Sequence, residues 1–247
     1  MVPTEDDTMR KITEERRAQM KPLEDMIDYH FKRMYLLNRA LTHSSYANQH
    51  SLSYVEHNER LEFLGDSVLS LVISEYIFKK YRNKPEGKLS KIRANIVCED
   101  SLHRKAKKLD LGRYMLFGKG EEMTGGRERT SILADALEAL IAAIYIDGGL
   151  EMAGKFVLGE FSDTIDRMVR RKYNSDYKSK LQEYIQKEQS LSVQYRVTGE
   201  EGPDHDKTFY VDVTVGDRYA GKGCGRSKKE AEQAAAKSAL ESLGASE

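Results

Sequence analysis

The chain has 247 residues, 39% hydrophobic and 32% charged, and its 40 basic and 40 acidic residues cancel to a formal net charge of zero. That length allows one large domain or two ordinary ones with a heavily charged surface, and any basic footprint for a polyanion must be local. Cys98 and Cys224 fit neither a disulfide framework nor a zinc site, the N-terminus MVPTEDDTMRKITEERR lacks the apolar core of a secretion signal, and no uncharged apolar run is long enough to span a membrane. The expectation is a cytoplasmic protein with no membrane contact and no organic cofactor.

Residues 1 to about 22 are polar and read as a frayed or weakly helical N-terminal extension. From residue 23 to about 170 the chain reads as successive helices: 34–48, 58–81, 87–97, 99–109, 130–147 and 150–170. Breaks fall at NKPEG (83–87), LGRY (111–114), GKGEEMTGG (118–126) and DGG (147–149), where glycine and proline end helices. Almost nothing here alternates with period two, so this domain, 23–170, is all-α.

RKYNSD (171–176) is a short polar linker. Beyond it KSKLQEYIQKEQ (178–189) is helical and SVQYRVTGE (192–200) alternates. KTFYVDVTVGDRYAGKG (207–223) reads as two strands turning at Gly216-Asp217. SKKEAEQAAAKSALESL (227–243) is an alanine-rich helix opened by a capping box, Ser227 with Glu230. The order α-β-β-β-α over 177–247 makes a second, small α+β domain.

Chemistry enters at NERLEFLGDSVLSL (58–71). Leu61, Leu64, Val68, Leu71 and Val72 share one helical face, the stripe of a packed helix. Glu59, Glu62 and Asp66 line the opposite face with no basic residue among them. From this segment alone a solvated acidic face explains them as well as a site does.

ILADALEALIAAIYI (132–146) tips the balance. Thirteen of its 15 residues are apolar, and the two exceptions, Asp135 and Glu138, fall on the same side of a helix that must be buried. No basic residue lies between Ser131 and Gly154 to neutralise them locally. A buried carboxylate needs a cation, a hydrogen-bond cage or a proton. A salt bridge from another helix would satisfy it. Packing the two helices together would instead converge Glu62, Asp66, Asp135 and Glu138 into an all-oxygen site suited to Mg²⁺, or Mn²⁺ as a substitute.

NERLEFLGDSVL, with ALTHSSYAN (40–48), PEGKLSKIRA (85–94), GKGEE…GG (118–126) and SILADALEALIAAIYID (131–147), closely resembles the signature of the ribonuclease III family. The α-β-β-β-α tail resembles the double-stranded RNA-binding domain of its bacterial members. The resemblance spans roughly residues 22–245. It implies metal-dependent hydrolysis of double-stranded RNA, leaving 5′-phosphate and 3′-hydroxyl ends with short 3′ overhangs, in the processing of rRNA and mRNA precursors.

Glu62, Asp66, Asp135 and Glu138 match the family's metal-binding catalytic carboxylates, and Glu59 and Glu86 match further acidic positions of the catalytic valley. The family is a homodimer through its nuclease domains, and Phe63 matches the aromatic residue inserted into the partner; periodicity alone favours a core aromatic there. Gly65 costs about 1 kcal/mol of helix stability against Ala, which a close helix–helix approach would explain.

Residues 176–247 hold 11 basic and 13 acidic residues, yet Arg218, Lys222, Arg226, Lys228 and Lys229 cluster. Lys228 and Lys229 sit in a first helical turn, where the dipole disfavours cations unless phosphate is met there. By the resemblance, Gln182 and Glu183 touch minor-groove 2′-hydroxyls and His205 enters the next minor groove, reading A-form shape. His43 reads as a hydrogen-bonded packing residue. Two competitors remain: a binder that holds duplex RNA without cutting it, and a hydrolase of small phosphoesters. Four clustered acids are ill placed beside RNA without a metal, which disfavours the first; the RNA-binding tail disfavours the second.

Overall fold

The structure, a computed structural model, describes residues 12–174, 177–188, 191–203 and 206–245. The chain divides into two compact units, with the division between Asp166 and Arg167.

In the first unit, α1 (Glu14–Ile27) starts well ahead of Leu23. Thr13 caps it, its Oγ1 accepting from the Arg16 N–H at 3.2 Å, and Glu14 and Glu15 suit the positive end of the helix dipole. Met20, Leu23 and Ile27 form a single buried stripe. The polar majority of residues 12–22 hides that stripe from a composition-based reading, so residues 14–22 of the expected extension belong to a packed helix.

The helix expected over 34–48 is two: α2 (Met34–Ala40) and α3 (Ser44–Gln49). Between them Thr42 turns its hydroxyl back onto the Asn38 carbonyl at 2.7 Å and pairs as an isolated bridge with Leu116. His43 then caps α3, Nδ1 accepting from the Ser45 N–H. The break is a long-range event, invisible to local periodicity.

The long helix α4 (Glu59–Lys80) buries Leu61, Gly65, Val68, Leu69, Val72, Ile73 and Ile77. Leu71, expected on the buried stripe, faces outward at 53% exposure. α5 (Glu86–Ile96) and α6 (Glu99–Lys108) follow, and the expected breaks at 111–114 and 118–126 contain single turns, α7 (Leu111–Tyr114) and α8 (Lys119–Met123). α9 (Thr130–Asn174) is interrupted at Gly149, whose φ of 83° and ψ of 177° no helix admits. Apart from Asp135 and Glu138, its stretch from Ile132 to Ile144 is apolar and buried, and it forms the centre of the unit. The same helix extends through residues 171–174, assigned above to the linker.

Asp147 anchors the break. Its carboxylate, buried, accepts from the Tyr29 hydroxyl (2.8 Å), the Lys32 and Arg33 backbone N–H groups (2.9 and 3.1 Å) and Arg33 Nε (3.1 Å). Burial pushes this carboxyl up, but the hydrogen bonds together outweigh it and hold it below the usual carboxylate range.

The second unit is α10 (Tyr177–Glu188), β1 (Val193–Glu201), β2 (Thr208–Val215), β3 (Arg218–Gly225) and α11 (Lys228–Ser242). The strands pair antiparallel in the order β1-β2-β3, with Val197↔Val211, Tyr210↔Cys224 and, at the hairpin, Val215↔Arg218. Gly216 takes φ 58° at the first turn position, as the expected hairpin requires.

Leu181 and Ile185 of α10, Val211, Val213 and Val215 of β2, and Ala231, Ala235, Ala239 and Leu240 of α11 close the core. Gly221, Gly223 and Gly225 of β3 lie directly against α11: a Cβ at Gly221 would be 2.6 Å from Ala239 N, and one at Gly225 2.8 Å from Ala231 N. The alanines and the alternating glycines are two halves of one close contact. The expected cap is present, with Ser227 Oγ accepting from Glu230 N–H at 3.2 Å. The Glu230 carboxylate accepts from Arg226 N–H rather than from Ser227.

Candidate active site

Glu62 and Asp66 stand on α4, and Asp135 and Glu138 on α9. The two helices meet where α4 has no side chain. A Cβ at Gly65 would overlap the carbonyl group of Glu138 and lie 3.0 Å from its Cα. The glycine that weakens α4 is therefore what lets the acidic pairs converge. One carboxylate oxygen each from Glu62, Asp135 and Glu138 lies within 4.8 Å of the others. Asp66, one turn along α4 from Glu62, is exposed and flanks this trio.

The electrostatics match the geometry. Glu138 is pushed up to about 8, first by burial and then by the charges of Asp66, Asp135 and Glu62. Glu62 is raised by burial, then by Asp135, Glu59 and Asp66. Asp135 is raised by burial, then by Glu99 and Glu59. No ion pair to any of the four carboxylates occurs among the described residues, so the interhelical salt bridge that could have explained Asp135 and Glu138 is not formed there. Half-buried acids that share a field and lack a protein cation form a site that a divalent ion would relieve. The donors are all carboxylate oxygens, which suits a hard, oxygen-preferring cation.

The other expected acids lie apart from this trio. Glu59, in the first turn of α4, is exposed, with Oε2 3.9 Å from His57 Nδ1. Glu86 opens α5, accepts from Ser90 Oγ at 2.6 Å, and lines an open cavity of about 320 Å³ with Leu71, Phe78, Leu89 and Arg93. Glu86 is not among the acids that converge in that trio. Phe63 is not a core aromatic: it is 79% exposed, and with Leu71 and Phe78 (71% exposed) it forms an apolar line along the outer face of α4.

His43 packs as expected, with Nδ1 2.8 Å from Ser45 Oγ and its ring against Phe117; burial lowers its pKa. Two acids escaped the sequence reading. Glu99 acts on Asp135 from the first turn of α6, with no spacing to announce it, and Asp147 was read only as part of a turn.

On the second unit, Gln182 and Glu183 are exposed on α10. Lys228 and Lys229 are the first two residues of α11 and both exposed, with Lys228 Nζ 5.8 Å from the Phe209 ring centre. Arg218, Lys222 and Arg226 are exposed as well. His205 lies outside the described residues.

No described helix is long and apolar enough to cross a membrane. A family model described as Ribonuclease-III-like matches residues 34–165, and one described as Double-stranded RNA binding motif matches residues 177–243. Ribonuclease 3 of Clostridium perfringens is 51% identical over 222 residues, covering 90% of this chain and 93% of its own. Ribonuclease 3 of Caldanaerobacter subterraneus subsp. tengcongensis is 54% identical over 222 residues, covering 90% and 97%. Among solved structures, the nuclease domain of ribonuclease III from Campylobacter jejuni matches with a TM-score of 0.53 and 44% identity, over 58% of this chain and 99% of that one; it was solved in a study of flexibility in a region involved in dimer formation.

Proposed function

The chain belongs to the ribonuclease III family, and we propose that it is an endoribonuclease that hydrolyses phosphodiester bonds of double-stranded RNA with Mg²⁺, leaving 5′-phosphate and 3′-hydroxyl ends with short 3′ overhangs. One observation carries the reading: the contact of Gly65 with Glu138 gathers carboxylates from two helices into a cluster with no cation from the described residues paired to it. Glu62, Asp66, Asp135 and Glu138 would hold the ion. Bound there, Mg²⁺, or Mn²⁺ in its place, would supply an activated water and stabilise charge on the attacking and leaving oxygens.

In this reading Glu138 would hold the ion as the carboxylate, the form that burial and the neighbouring acids disfavour without a cation. Glu59 and Glu86 serve the wider catalytic valley. We assign the nuclease domain to 23–170, the linker to 171–176 and the RNA-binding domain to 177–247. In the latter, Gln182, Glu183, His205, Lys228 and Lys229 contact the duplex, the two lysines joining the positive end of the α11 dipole at phosphate. The protein works in the cytoplasm as a homodimer, the exposed Phe63 entering its partner; the outward apolar line on α4 supports this. Its substrates are rRNA and mRNA precursors.

The reading of a non-cleaving binder gains no support, because such a protein has no use for an unneutralised acidic cluster. The test is to incubate a long RNA duplex with and without Mg²⁺ and analyse the product ends. Short products with 5′-phosphates, formed only with the metal, are expected; an intact duplex would refute the proposal.

A further inference from the structure

Next to the carboxylate cluster lies a buried polar group that the chemistry above leaves unused. His57 immediately precedes α4 and is 8% exposed. Its backbone is tied down: the carbonyl accepts from Arg39 Nε at 3.4 Å, and the neighbouring Asn58 N–H donates to the Thr42 carbonyl at 2.9 Å. The imidazole Nδ1 is sealed from solvent and has no hydrogen-bond partner among the described residues. Glu59 Oε2 stands 3.9 Å from it, beyond the hydrogen-bond range but within reach of a small side-chain rotation. A buried donor left without an acceptor is unfavourable, and closing this gap removes the defect.

Glu59 has reason to turn that way. Its charge acts on both Glu62 and Asp135, so on one side it faces carboxylates that repel it. The His57 imidazole stands 3.9 Å from its carboxylate, and the Glu59 charge also acts on His43. We propose that His57 is a positioning residue whose Nδ1–H engages the Glu59 carboxylate and fixes its distance from the Glu62–Asp135–Glu138 cluster, keeping Glu59 at the rim of the site and out of the ligand set. The catalytic arm of this inference rests on the nuclease reading; the His57–Glu59 contact does not.

The test uses the full-length protein and two readouts. In the first, imidazole ¹H–¹⁵N spectra of the native protein are compared with those of Glu59→Gln. The His57 Nδ1 resonance should move, and an unmoved resonance overturns the contact. In the second, kcat and KM are measured on a long duplex with Mg²⁺. His57→Leu should lower kcat by about tenfold or more with KM within about twofold.

His57→Asn places its amide nitrogen where Nδ1 was and should keep at least about a third of kcat, whereas His57→Gln, which mimics Nε2, should not. Glu59→Gln added to His57→Leu should cause no further loss, since both act through one group. Equal impairment of the Asn and Leu variants, or losses that multiply, would overturn the proposal. Should His57→Leu fail to fold, the Asn–Gln comparison decides. A native protein that binds duplex without cutting it would sink the nuclease reading, and the spectra would still decide the contact.

Discussion

Gly65→Ala is the substitution that separates stability from catalysis most sharply. The added methyl would overlap the Glu138 carbonyl group, and ordinary contact with it begins near 3.4 Å, so α4 and α9 must part by roughly 1.5 Å. Alanine is about 1 kcal/mol better than glycine inside a helix, while forcing a methyl into a packed contact costs about 1–3 kcal/mol. The net destabilisation is about 0–2 kcal/mol, a fall in Tm of at most about 8 °C at this chain length.

The carboxylates fare worse. Glu62 and Asp66 move away from Asp135 and Glu138, and an octahedral Mg²⁺ tolerates little error in its ligand distances. A misplacement of about 1 Å at a reacting centre costs on the order of 100-fold in rate. Single-turnover cleavage of a long duplex at saturating enzyme, with Tm measured in parallel, tests this. A variant that folds and still cuts within about threefold of the native rate would refute the argument that this contact builds the site.

Glu138→Gln should bind duplex with Mg²⁺ yet lose cleavage; equal loss of both in gel-shift and cleavage assays would count against its role. Lys228→Ala with Lys229→Ala should weaken duplex binding and lower the salt slope by up to about 2, read from affinities across a salt series. Asp147→Asn should cost about 3 kcal/mol at neutral pH, or roughly 6–12 °C in Tm. Because the folded Asp147 carboxyl lies below its unfolded value, its contribution is complete above about pH 4 and fades as pH falls further, so the native and variant Tm values should converge in acid. Adding Mn²⁺ to chelator-treated protein should raise Tm, and the rise should vanish in Glu138→Gln, as differential scanning fluorimetry would record.

The α-β-β-β-α order, the hairpin at Gly216 and the burial of 132–144 could all be read in advance, because each rests on local periodicity or turn chemistry. So could the convergence of Glu62, Asp135 and Glu138, since two acids on an otherwise apolar helix demand a partner. What stayed hidden depends on residues distant in sequence. The break at Thr42–His43 needs Leu116, and the meaning of Gly65 needs Glu138. Periodicity alone places Phe63 in the core, but the side of α4 that carries it is turned outward, and that is set by which neighbours the helix packs against. Glu99 and His57 gave no signal because their relation to the cluster exists only in three dimensions.

The seam between β3 and α11 has a mechanical corollary. Where backbone touches backbone with only hydrogens and methyls between, there is no lever arm to flex, and neither sliding nor rolling of one element on the other comes cheaply. The two lysines at the tip of the helix are thus mounted on a fixed bracket instead of a hinge. Any polyanion they grip must match a spacing set by glycine and alanine, and a single methyl added to the strand would knock that gauge out of true.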